Sequence, residues 1–241
     1  VRELQPHILV NDRLEIGGDF KTPEQYQPAG KMMVDGTPVL WEACQTLNGS
    51  WGYHRDNLDW KPVGMLVRML VDTVAKDGNL LLNVGPTADG RIPVVMQDRL
   101  EHLGQWLRYN GEAIYGTRTF REGAQWTQGR RQELDTSTNY RAKYDVEALT
   151  LAPPEGDARK EVLFTRKDRT LYAILPLYPQ GTLVLRDLRL PRSARLSLLG
   201  TRHGKLSWSQ RGNDVRIELP ALRDGEVPFD GPLTIRLEDA L

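Results

Sequence analysis

Apolar positions in the first 117 residues follow two alternating patterns. Ile8-Leu9-Val10, Val39-Leu40-Trp41 and Leu80-Leu81-Leu82 are short runs in which every residue is apolar. Such runs read as strands covered on both faces. Val63, Leu66, Leu70 and Val74 recur at helical spacing within 62–76. Met96, Leu100, Leu103 and Leu107 share one face of a second helix. Pro62 and Pro93 suit first helical positions, and Gly78 and Asn110-Gly111 suit helix ends. Residues 1–5 read as the last turn of a helix halted before Pro6, so the chain is expected to begin inside a domain. Strands alternating with helices imply a parallel sheet with helices packed on it. Three strands are fewer than the roughly eight of a closed barrel.

The pattern changes near residue 118. Glu161-Val162-Leu163-Phe164 and Leu171-Tyr172-Ala173-Ile174 flank Lys167-Asp168-Arg169, which predicts a hairpin. Leu183-Val184-Leu185, Leu196-Ser197-Leu198, Val215-Arg216-Ile217 and Leu233-Thr234-Ile235 follow, punctuated by Gly200, Gly204, Gly212-Asn213 and Gly231-Pro232. Short alternating strands of this kind predict an antiparallel β-sandwich. Two domains are expected, with the boundary between residues 115 and 125.

Charge separates the same two parts. Residues 1–117 hold 11 basic and 15 acidic side chains and residues 118–241 hold 21 and 17, so a net −4 is balanced by a net +4. A neutral chain that is 39% apolar argues against disorder and against non-specific nucleic-acid binding. No run approaches the ~18 apolar residues of a membrane span. The single cysteine, Cys44, excludes an internal disulfide and is expected to be a small buried hydrophobe. His7, His54, His102 and His203 have no metal-ligand spacing, so neither metal nor organic cofactor is implied.

Chemistry in such an architecture belongs at the C-terminal ends of the strands. Three segments lie there: Asn11-Asp12-Arg13 with Gly17 to Glu24, Trp41-Glu42-Ala43-Cys44 with Asn48 to Tyr53, and Asn83-Val84-Gly85-Pro86 with Ala88-Asp89-Gly90. Carboxylates, one arginine and aromatics suit a carbohydrate. Each also fits a plain role: Arg13 as an ion pair with Asp12 or Asp19, Trp41 and Trp51 as core residues, Glu24 as a solvated loop acid.

The stretch from Gly78 to Pro93, Gly-Asn-Leu-Leu-Leu-Asn-Val-Gly-Pro-Thr-Ala-Asp-Gly-Arg-Ile-Pro, closely resembles the α-L-fucosidases of glycoside hydrolase family 29. Val10-Asn11-Asp12-Arg13, Gly18-Asp19-Phe20-Lys21-Thr22-Pro23-Glu24, Trp41-Glu42, Asn48-Gly49-Ser50-Trp51-Gly52-Tyr53 and the segment Asn110 to Thr117 resemble it in the same order. The resemblance implies a retaining glycosidase in which two carboxyl groups stand ~5–5.5 Å apart. It implies a partial (β/α)8-like barrel segment over 1–118 followed by a β-sandwich over 119–241. Glu24 falls at the family's acid/base, Arg13 at a guanidinium that contacts fucose, and Trp51 at an aromatic against the sugar's C6 methyl. The family's nucleophilic aspartate belongs to an earlier strand, in a Phe-Asp-Gly-like context that does not occur here. Asp12, Asp19 and Asp59 are the internal candidates, and Glu42 is the next candidate acid/base. The implied partners are a fucosylated glycan and a second copy or partner chain that completes the barrel, in a periplasmic or secreted setting. The alternative is a protein that binds fucose without cleaving it, or an inactive fragment.

Overall fold

A computed structural model of the chain describes residues 1–13, 17–131 and 145–241. After a small hairpin of β1 (Met33–Val34) and β2 (Thr37–Pro38), β3 (Trp41–Thr46) pairs in parallel with β4 (Gly78–Asn83), and helix α1 (Val63–Val74) connects them. Residues 20–25 run parallel to β3 through the bridges Lys21–Trp41 and Glu24–Cys44. Residues 10–11 add a further extended stretch through the bridge Asn11–Phe20. The expected strand at Ile8-Leu9-Val10 is reduced to this contact. The expected strand at Val39-Leu40-Trp41 starts only at Trp41 and runs on to Thr46. Its start is set by the partner segment: Lys21 N–H donates to Leu40 O, and Glu42 N–H donates to Lys21 O.

Among the described residues, only one face of this sheet is covered. Leu81 is 50% exposed, contrary to the expectation of full coverage from its all-apolar run. Trp41, Ala43 and Gln45 are buried under α1, whereas Glu42 and Cys44 are part-exposed on the other side. Gly78 does not cap α1. Ala75 ends the helix, and Gly78 opens β4 beneath the Trp41 ring, where an added Cβ would lie 2.2 Å from Cζ2.

Helix α2 (Val94–Asn110) is anchored by Trp106, a position outside the expected apolar face. Trp106 is fully buried, and its ring N–H donates to Pro232 O at 2.8 Å. The chain then enters β5 (Arg118–Trp126), followed by the short helix α3 (Val146–Thr150), β6 (Lys160–Lys167), β7 (Thr170–Leu175), β8 (Thr182–Leu185), β9 (Arg195–Leu198), β10 (Ser207–Arg211), β11 (Asp214–Glu218) and β12 (Leu233–Glu238). The antiparallel sheets β5-β6-β7-β12-β9 and β10-β11-β8 enclose one core, with Val162, Ala173 and Ile235 on one side and Leu185, Val215 and Ile217 on the other. This is the expected β-sandwich, and the β6–β7 hairpin has its turn at the expected place.

Helix α1 serves both halves. Val67 and Val71 join the sandwich core, while Leu66 and Met69 join a second core with Leu47, Met96 and Val146. A buried ionic cluster fixes this junction. Asp72 accepts from Lys76 Nζ at 2.6 Å and from Lys160 Nζ on β6, and all three side chains are almost fully buried. Lys76 also donates to Pro28 O at 2.8 Å. Burial by itself would push the Asp72 carboxyl up, but the ammonium groups of Lys160 and Lys76 outweigh it and hold it well below the ordinary range.

Candidate active site

Residues 20–25 exchange three backbone hydrogen bonds with β3 and a fourth with Leu40 just before it, which include Cys44 N–H to Pro23 O at 3.0 Å and Gln25 N–H to Cys44 O at 2.9 Å. The pairing of Glu24 with Cys44 puts both side chains on the sheet face that α1 leaves open. Glu42, two residues before Cys44, shares that face. Burial pushes the Cys44 thiol up, Arg13 opposes this, and Glu24 and Glu42 reinforce it. Arg13, Glu24 and Glu42 therefore each lie within electrostatic reach of Cys44. Cys44 is only part-buried, which corrects the expectation of a core thiol.

Arg13 donates from Nη1 to Glu24 Oε2 at 2.6 Å. The arginine is thus in an ion pair, but with Glu24 rather than with Asp12 or Asp19. Those two aspartates have other partners. Asp12 accepts from the Thr22 hydroxyl at 2.7 Å and pairs with Lys21 at 3.3 Å. Burial pushes its carboxyl up, but Thr22 and Lys21 outweigh this and hold it below its ordinary value. Asp19 accepts from Val10 N–H at 2.8 Å and from Arg2 at 2.9 Å on both oxygens, and the Val10 bond first, then Arg2, lowers its carboxyl. Asp59 is exposed in the loop that follows β3.

Trp51 and Trp41 part company. Trp41 is core, 1% exposed, while Trp51 is 38% exposed. Trp51 lies in loop 47–61, at the C-terminal ends of β3 and β4. Its carbonyl accepts from Asn83 Nδ2 at 2.6 Å. Gly85 lies so close to this loop that an added Cβ would be 2.7 Å from the Gly52 carbonyl carbon. The structure therefore joins Arg13 directly to Glu24 and sets Trp51 on the neighbouring loop at the same end of the sheet. A cavity of about 410 Å³ lies elsewhere, at the junction lined by Lys31, Asp72, Lys76, Trp126 and Lys160. Among the described residues, no group of three or more His, Cys, Asp or Glu side chains is arranged to hold a metal, and no helix is long and apolar enough to cross a membrane.

Sequence reasoning missed Gln25, Thr46 and Lys61, which tie the Glu24 segment to the Trp51 loop. None of them stands out by type or spacing. Their relation exists only once residues 20–25 lie beside β3.

Comparison with known proteins gives a consistent picture. A family model described as alpha-L-fucosidase matches residues 1–112, and one described as alpha-L-fucosidase C-terminal domain matches residues 156–238. Plasma alpha-L-fucosidase of Homo sapiens is 34% identical over 236 residues, which cover 92% of this chain and 42% of that protein. Tissue alpha-L-fucosidase of Homo sapiens is 31% identical over 245 residues, which cover 97% and 45%. Among solved structures, alpha-L-fucosidase isoenzyme 1 from Paenibacillus thiaminolyticus superposes with a TM-score of 0.73 at 30% identity, covering 98% of this chain and 51% of that one. The Thermotoga maritima alpha-fucosidase in complex with a mechanism-based inhibitor gives 0.68 at 29%, covering 98% and 47%. The chain spans a little under half the length of the curated relatives it matches.

Proposed function

Because the chain belongs to the α-L-fucosidase family, glycoside hydrolase family 29, we propose that it acts in retaining hydrolysis of terminal α-L-fucosides. Glu24 is the general acid/base, and Arg13 and Trp51 contact the sugar. The observation that carries this reading is the Arg13–Glu24 contact on the open face of the parallel sheet. Hydroxyl groups of a sugar that take over the Arg13 donors free Glu24 Oε2 to meet the glycosidic oxygen. The part-exposed Trp51 supplies an apolar wall for the methyl group of a 6-deoxy sugar, whose burial is worth about 0.8 kcal/mol.

Residues 1–118 form part of a (β/α)8-like barrel and residues 119–241 the sandwich. The four parallel stretches, adjacent in chain order, support the first part of this division. Among the described residues, no strand pairs with the outer edge of β4, and unpaired edges invite association. The nucleophilic carboxylate comes from further polypeptide that covers this sheet, a second copy of the chain being one candidate. A single monomer boundary in sedimentation at micromolar concentration would exclude the second copy.

The engagement of Asp12 and Asp19 favours one other reading, fucose binding without cleavage. Incubation with 4-nitrophenyl α-L-fucoside separates the two. Release of 4-nitrophenol supports the hydrolase, and saturable L-fucose binding with no release supports the binder.

A further inference from the structure

Lys61 stands where both candidate segments meet. Its backbone N–H donates to Leu47 O at 2.9 Å and closes loop 47–61 at its base. Its ammonium donates to Thr46 O at 2.5 Å, to Asn48 O at 3.3 Å and to the Thr46 hydroxyl at 3.4 Å. These acceptors are carbonyl and hydroxyl oxygens, none of them a carboxylate. They lie where β3 ends, at carbonyls that need donors once the ladder stops. Arg99 of α2 holds Lys61 from behind, donating to its carbonyl at 2.9 Å.

The same threonine reaches the other segment. Thr46 is fully buried, and its hydroxyl accepts from Gln25 Nε2 at 3.0 Å. Gln25 directly follows Glu24 and has φ +60°, in the left-handed region. A non-glycine residue there costs roughly 1 kcal/mol or more and persists only when its surroundings fix it. Here the fixing bonds are Gln25 N–H to Cys44 O and the side-chain amide to Thr46. Burial pushes the Lys61 ammonium down, with Asp59 pulling it partly back, as expected for a charge placed for its hydrogen bonds rather than for an ion pair.

We propose that Lys61 is a positioning residue of the fucoside site: through Thr46 its ammonium fixes the Trp51 loop and the Glu24 segment relative to each other. The proposal rests on the roles given above to Glu24 and Trp51. Small displacements of such groups are costly, since ~1 Å of misplacement can lose ~10²-fold in rate.

The test compares the whole chain with Lys61→Met and Lys61→Arg by NMR. The Trp51 indole and Gln25 side-chain amide signals are assigned through Trp51→Phe and Gln25→Glu. Lys61→Met is expected to shift both signals while those of the buried Trp41 and Trp106 stay in place, and to weaken L-fucose binding about tenfold. Lys61→Arg, which keeps the donors, is expected to recover much of that binding. Unmoved Trp51 and Gln25 signals in Lys61→Met would overturn the proposal. If the wild-type chain fails to bind L-fucose, the site reading falls, and the two signals still decide whether Lys61 couples the segments. If Lys61→Met does not fold, Thr46→Val removes the shared hydroxyl alone, and an unmoved Gln25 amide then overturns the proposal.

Discussion

Glu24→Ala is expected to slow hydrolysis of an α-L-fucoside by ~10²–10⁴-fold, the usual worth of a positioned general acid/base. Leaving-group chemistry gives the loss a signature. An alkyl fucoside, whose alkoxide departs poorly, needs the proton from Glu24 and is expected to show the full loss. The 4-nitrophenyl fucoside departs with little help and is expected to lose less in the bond-breaking step. A merely structural carboxylate would slow both substrates alike. Arg13 sharpens this expectation, because its guanidinium sits 2.6 Å from Glu24 Oε2. Removing Glu24 leaves that arginine without this acceptor, so sugar binding is expected to change less than turnover. Initial rates on the two substrates decide the matter, and unchanged rates would move the role to Glu42 on the same sheet face.

The second large effect concerns stability. Asp72→Asn keeps the shape of the buried side chain but leaves the ammonium groups of Lys76 and Lys160 facing a neutral amide. Removing one member of a buried ionic cluster typically costs ~3–5 kcal/mol. For a chain of this size that corresponds to a fall in Tm of roughly 6–20 °C. Lys160→Met is expected to cost less, because the Asp72–Lys76 pair remains. The pH dependence has a definite sign. Asp72 is held below the ordinary carboxyl value in the folded state, so its contribution is complete above pH ~4 and is lost as pH falls through the lower folded value. Urea unfolding of Asp72→Asn within about 1 kcal/mol of wild type would contradict this account of the junction.

Much of the fold is legible in the residues. Helices α1 and α2 and the β6–β7 hairpin follow from periodicity and turn residues, because each is organised by contacts close in sequence. The exceptions have particular causes. Strand β10 reads Ser-Trp-Ser-Gln-Arg, has no apolar run and forms the outer edge of its sheet, so no hydrophobic pattern marks it. Leu81 belongs to an all-apolar run yet faces outward, because α1 covers one side of the sheet and nothing among the described residues covers the other.

At the site, the types of group could be read but not their partners. Arg13 suggested an ion pair, and only the parallel pairing of residues 20–25 with β3 identifies the acceptor as Glu24. Lys160 lies 88 residues from Asp72, and no local rule joins them. Lys61 is an ordinary lysine until the end of β3 supplies its acceptors.

The most direct test of retaining hydrolysis is the stereochemistry of the product. Proton NMR follows the first fucose released from 4-nitrophenyl α-L-fucoside by the assembled protein, before the anomers equilibrate. A double displacement predicts α-L-fucose first, with the β anomer growing in later. β-L-fucose as the first product, or no fucose at all, would contradict it.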